Sequence, residues 1–151
     1  MINDPRDLPA GGYFEGAEHR YPLRVFFEDT DAGGVVYHGR YLGFLERARS
    51  DMLRVAGIDH VAAYRDGIGL YTIVEVRIRY VRPARLDDAL LVTSTVERMS
   101  SSSCIVAQNV LRNGELIASA SVKAAFVTPA GRPTRQPAEW IETFERLKRD
   151  D

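Results

Sequence analysis

The apolar positions of this chain change period several times, and each change marks an element. Over residues 1–19, Pro, Gly and charged residues mix without sustained periodicity, which predicts a loose N-terminal arm. Leu23-Arg24-Val25-Phe26-Phe27 is apolar and β-favouring and stops at Glu28, so a first strand is predicted over about residues 21–28. A loop rich in Asp and Gly follows. From Tyr41 the spacing turns helical: Tyr41, Leu45, Ala48, Met52 and Ala56 recur at three or four residues, with Phe44 and Leu53 widening the face. Glu46, Arg47, Arg49, Asp51 and Arg54 occupy much of the remainder. Gly57 stands where a C-terminal cap belongs, and one long helix is predicted over about residues 39–56. A shorter helical turn is expected over residues 59–66, stopped by Gly67 and Gly69.

The rest reads as strand. Val74, Val76, Ile78 and Tyr80 alternate with Glu75, Arg77 and Arg79, predicting one buried and one wetter face, and Pro83 ends the run. Further strands are expected over residues 89–99, 104–112 and 115–127, the last carrying Ala118, Ala120, Val122, Ala124 and Phe126 on one side. Asn113-Gly114 is a strong hairpin signal, because both residues tolerate positive φ. A C-terminal helix begins near Pro137, with Trp140, Ile141, Phe144 and Leu147 as its stripe. The order predicts a single α+β domain over residues 20–148, a long helix covered by an antiparallel sheet. One helix cannot cover so long a sheet, and edge strands need protection, so pairing of copies through the sheet is expected.

Composition narrows the function classes. The chain has 151 residues, 45% of them apolar, with 20 basic against 21 acidic side chains. At this length a domain buries about 70% of the surface its unfolded chain exposes, enough for one core. The even charge balance argues against a polybasic nucleic-acid surface. No apolar run approaches the roughly 18 residues that span a bilayer. The opening segment, with Asp4, Pro5 and Asp7, lacks the apolar core of a signal peptide, and a cytoplasmic protein is expected. A single cysteine, Cys104, excludes an intramolecular disulfide and a multi-cysteine zinc site.

Candidate chemistry concentrates in Glu28-Asp29-Thr30-Asp31-Ala32-Gly33-Gly34-Val35-Val36-Tyr37-His38-Gly39-Arg40-Tyr41, between the first strand and the long helix. N–H groups at a helix start lack intrahelical acceptors and can stabilise a developing oxyanion. A carboxylate beside them can act as nucleophile or general base, and Asp31, followed by a Gly pair, is best placed. The alternative is that Asp29 and Asp31 simply cap turns. A calcium loop fits poorly, since Gly33 replaces the third oxygen ligand and Arg40 occupies the twelfth position. His38 has no second histidine at a supporting metal-ligand spacing, and no metal is expected. Cys104 shows no activating partner, and Ser100 to Ser103 read as a hairpin turn. Arg77, Arg79, Arg82 and Arg85 fit phosphate contacts and a solvated sheet face about equally.

The stretch RVFFEDTDAGGVVYHGRYLGFLERARSDMLR, with the later VRPARLDD, closely resembles the hot-dog-fold acyl-CoA thioesterases of the YbgC type, associated with the Tol-Pal system, within the 4-hydroxybenzoyl-CoA thioesterase superfamily. The likeness covers about residues 21–144. It implies a hot-dog domain, an acyl-CoA substrate (or an acyl carrier protein thioester), no cofactor, and sites at the interface of a homodimer or homotetramer. It further implies Asp31 as the catalytic carboxylate, with the backbone N–H of His38 polarising the thioester carbonyl. Tyr37 would be an aromatic flanking the site, and Glu46 a position facing the acyl pocket. For Glu46 the alternative is an exposed ion-pairing role. Two other functions stay open: a non-catalytic acyl-binding or scaffold protein of the Tol-Pal envelope machinery, with peripheral envelope partners, and a hydratase or dehydratase chemistry on the same fold.

Overall fold

The computed structural model describes residues 3–149. Six antiparallel strands form one sheet: β1 (Tyr13–Glu15), β2 (Glu18–Arg24), β3 (Leu70–Tyr80), β4 (Ala89–Met99), β5 (Ser103–Arg112) and β6 (Glu115–Val127), in the spatial order β1-β2-β4-β5-β6-β3. The helices are α1 (Arg40–Val55), α2 (His60–Arg65) and α3 (Ala138–Arg149). This is the hot-dog arrangement, in which the sheet wraps the long helix α1. The apolar stripe of α1 is buried as its spacing requires, through Tyr41, Phe44, Leu45, Ala48 and Met52. Gly57 at φ +83 ends the helix, its N–H donating to the Arg54 carbonyl and that of Ile58 to Leu53. Asn113 (φ 51) and Gly114 (φ 80) make the tight β5–β6 turn.

The core divides along α1. Its first half packs with Val25, Val36, Ala84, Leu90, Val92, Val110, Ile117 and Ala118. Its second half packs with Val96, Cys104, Val106, Ala124 and Phe144, the last delivered by α3. Among the described residues no helix is long and apolar enough to cross a membrane.

Three local expectations are corrected. The arm is not loose as far as His19: Tyr13–Glu15 pairs with Glu18–Arg20 through a turn at Gly16 (φ 60), and His19 is fully buried. Its first two residues lie outside the described residues. A short hairpin whose anchor is a polar side chain leaves no apolar period to read. The first strand also ends sooner, at Arg24; Phe27–Asp29 is a 3-10 turn, with Phe26 and Phe27 exposed. Finally, β3 has no buried face. Val74 is 57% and Tyr80 46% exposed, Val76 and Ile78 are half-buried, and no residue of the strand is fully buried. The pairing with β6 slips between Ile73 and Glu75, so Val74 sits in a bulge on an edge strand.

Candidate active site

The segment joining β2 to α1 is a folded loop. Thr30 and Val36 bridge its two arms, and the Val36 N–H donates to the Ala84 carbonyl at 2.8 Å. Asp29 is buried at its base. One carboxylate oxygen accepts the Phe26 N–H at 2.8 Å, the other the Arg40 Nε–H at 2.6 Å, and its carbonyl accepts the Tyr37 N–H. Arg40 also reaches Glu28 at 3.2 Å. Asp29 thus ties the loop to the first residue of α1. Tyr80 braces the same turn, its hydroxyl donating to the His38 carbonyl at 2.9 Å and its ring packing edge-on to Tyr41. Neither Arg40 nor Tyr80 was visible as a site residue in the sequence. Tyr80 reads there as one more apolar position on β3, and its hydroxyl gives no periodic signal.

Asp31 stands exposed at the loop's tip. Its Oδ1 accepts the Gly33 N–H at 2.9 Å and lies 3.4 Å from the Val35 N, while its Oδ2 has no partner among the described residues. It therefore makes the turn that Asp favours and still presents a free carboxylate oxygen. Tyr37 is half-exposed, with its ring 4.5 Å from the exposed His38 ring. The His38 N–H has no acceptor among the described residues, and no side chain caps α1 at Gly39. Asp31, Tyr37 and His38 all lie on this loop, Asp31 at its tip and the Tyr37–His38 pair at the start of α1. The loop does not include Glu46, which lies further along α1, ion-paired with Arg49 and accepting from Ser50 Oγ.

Glu46 does border an open cavity of about 590 Å³ lined by residues of α1, α2, α3 and the sheet. Met52, Val96, Cys104, Val106, Ala124, Phe126 and Phe144 line its interior. Burial pushes the Cys104 thiol up to about 11, so at neutral pH it is a wall and not a nucleophile.

A second histidine–aspartate pair joins β2 to α1. His19 Nε2 is 2.8 Å from Asp51 Oδ2, and Asp51 also accepts the Gly12 N–H and the Arg54 guanidinium, both at 2.8 Å. Burial lowers the His19 pKa, with the Asp51 hydrogen bond and charge only partly opposing it. For Asp51, burial alone would raise the pKa, but hydrogen bonds from Arg54, Gly12 and His19 together hold it below the ordinary carboxylate value. A Cβ at Gly12 would stand 2.3 Å from the Arg20 carbonyl oxygen and 2.8 Å from His19 Nε2, so only glycine lets the chain close over this pair.

Known proteins share this architecture and sequence. The profile of the thioesterase-like superfamily matches residues 25–145. An acyl-CoA thioesterase YbgC of Haemophilus influenzae is 36% identical over 129 residues, covering 85% of this chain and 95% of that protein. A 1,4-dihydroxy-2-naphthoyl-CoA hydrolase of Thermosynechococcus vestitus is 35% identical over 82 residues, 54% of this chain and 56% of its own. The crystal structure of a probable thioesterase from Bartonella henselae superposes with a TM-score of 0.76 at 32% identity, covering 80% of this chain and all of that one. The chain therefore belongs to the thioesterase-like superfamily, as a hot-dog-fold thioester hydrolase of the YbgC kind.

Proposed function

We propose that this protein hydrolyses acyl-CoA thioesters to a free acid and CoA, with Asp31 as nucleophile or general base. The observation that carries the reading is the presence, on one loop, of a free Asp31 carboxylate oxygen and of an unoccupied His38 N–H at an uncapped helix start. The carbonyl oxygen of the thioester accepts from that N–H, and the interaction strengthens as the oxygen gains charge. Asp31 either adds to the carbonyl carbon, expelling the CoA thiolate and leaving an anhydride for water to open, or takes the proton of the attacking water. A thiolate of low pKa leaves without strong acid assistance, so one carboxylate and backbone donors suffice. Tyr37 flanks the reacting centre, and the exposed arginines of β3 and of the loop before β4 are available to the CoA phosphates.

The exposed β3 edge, with Ile73 and Val74 in solvent, supports pairing with a second copy of the chain. The site then lies at the interface of a homodimer or a pair of dimers. The test is thiol release from a panel of acyl-CoAs by wild type and Asp31→Asn. Hydrolysis by the wild type, lost in a folded Asp31→Asn, supports the reading. Equal rates in the two remove Asp31 from the mechanism, and binding without any hydrolysis leaves an acyl-binding protein.

A further inference from the structure

Whether a cavity between helix and sheet holds substrate depends on what made it hollow and what its walls offer. Cys104 and Ala124 face one another across the β5–β6 ladder, and both line the cavity. Two small side chains side by side, under the second half of α1, leave space that close packing would otherwise fill. The space runs from a wet rim to a dry floor. Val61, Tyr64 and Ile73 at the rim are exposed, whereas Cys104, Val106, Ala124, Phe126 and Phe144 are buried.

The polar side chains that α1 and Tyr71 present to these walls are already engaged. Arg49 donates to Gln108 Oε1 at 2.9 Å and pairs with Glu46. Ser50 Oγ donates to Glu46, and the Tyr71 hydroxyl to Gln136 Oε1 at 2.5 Å. Among the described residues, His60 Nδ1 is the one buried side-chain nitrogen or oxygen on the wall without a partner, and it belongs to the first residue of α2. A phenolic hydroxyl driven to the floor would lose its water against Val106, Ala124, Phe126 and Phe144, with only the weakly hydrogen-bonding Cys104 thiol beside it. A hydrocarbon chain loses nothing there.

The cavity is also set back from the reacting loop. Glu46, at its border, lies about 9 Å along the axis of α1 from Arg40, at about 1.5 Å per residue. Between them Gly43 leaves the helix face bare, with nothing within 4 Å of the position a Cβ would take. A short acyl group ends on this stretch, and a long one passes beyond Glu46.

We infer that the cavity takes the unsubstituted hydrocarbon end of a long aliphatic acyl thioester, and that Ala124 and Cys104 set how far the chain enters. The inference rests on the acyl-thioester hydrolysis proposed above. It is tested by titration calorimetry with non-cleavable S-butyl-CoA and S-dodecyl-CoA thioethers below their micellar concentrations, on wild type, Ala124→Leu and Cys104→Leu. Wild type binds the dodecyl compound at least about tenfold more tightly, since each buried methylene is worth about two- to fourfold. Each filling variant lowers the dodecyl-to-butyl affinity ratio at least about fivefold by the same arithmetic. Melting curves show which variants are folded, and Ala124→Val replaces one that is not. Equal affinities in wild type, or a ratio unmoved in a folded filling variant, overturn the pocket. Thioether binding is independent of cleavage. A protein that cleaves butyryl- and dodecanoyl-CoA but shows equal thioether affinities loses the pocket and keeps the hydrolysis. One that binds S-dodecyl-CoA tightly and cleaves neither keeps the pocket and loses the hydrolysis.

Discussion

His19 and Asp51 have the look of a catalytic dyad, with a 2.8 Å hydrogen bond, full burial of the imidazole and perturbed pKa values on both partners. Asp31 and His38 share no such bond, and both stand in solvent before α1. The comparison separates two uses of one pair of residue types. His19 is buried beneath the Gly11-Gly12 segment, and its hydrogen bond to Asp51 fastens the N-terminal hairpin to α1. Asp31 and His38 are held by backbone and by neighbours, which leaves a carboxylate oxygen and an N–H unspent. The Asp51 carboxylate has both oxygens engaged, whereas Asp31 keeps one unspent.

The sharpest way to break this contrast is to exchange the consequences of the two aspartates. Asp31→Asn is expected to fold with a near-normal Tm and lose about two to four decades of turnover, the scale of a positioned acid–base group. If Asp51→Asn loses as much turnover with its fold intact, the roles are reversed. Asp29→Asn falls between them, loosening the Arg40 tie, and its kinetic loss is smaller than that of Asp31→Asn. The stability side is read from Asp51→Ala, which strands the Gly12 N–H and the His19 ring. A buried group left unpaired costs about 1–3 kcal/mol, a fall in Tm of roughly 3–10 °C for a chain of this size.

His38→Ala separates the imidazole from the backbone N–H of the same residue. Its backbone N–H survives the substitution, so it loses less activity than Asp31→Asn. Its pH–rate profile keeps the wild-type limbs, with none lost near the ordinary imidazole pKa of about 6.5. A defect as severe as that of Asp31→Asn, with such a limb abolished, would make the ring a general acid or base. The smallest effect belongs to His19. Its folded pKa lies below the ordinary imidazole value of 6.5, so the unfolded chain takes up the proton first as the pH falls. His19 therefore subtracts stability below about pH 6.5 and none well above it. Wild-type Tm should drift down from pH 7.5 to pH 5.5, and His19→Gln should flatten the drift. Asp51 acts in the same direction only at lower pH, as its depressed carboxyl is finally protonated.

The sequence displayed those parts whose physics repeats. The α1 stripe, the Asn113-Gly114 turn, β4 to β6 and α3 each carry a period or a pair of residues that no other conformation suits. The Asp31 to His38 segment is legible because its glycines and acids stand at the junction of strand and helix. What stayed hidden depends on single contacts between distant residues. Asp29 meeting Arg40, Tyr80 reaching the His38 carbonyl and Gly12 lying on Asp51 leave no periodic trace. The exposure of β3 was hidden for a related reason, since alternation reports which residues share a face and not whether anything covers it.

The position of β3 in the sheet also has a consequence for synthesis. Its partner within the chain is β6, with Leu70 opposite Val127 and Tyr80 opposite Ala118. On the ribosome, β3 emerges long before that partner exists; at about 5–20 residues per second, the interval from Tyr80 to Val127 is roughly 2–10 seconds. During it an apolar strand with both edges open is exposed to other nascent chains. Slower translation between codons 81 and 127 should therefore lower soluble yield more than the same delay placed after codon 127.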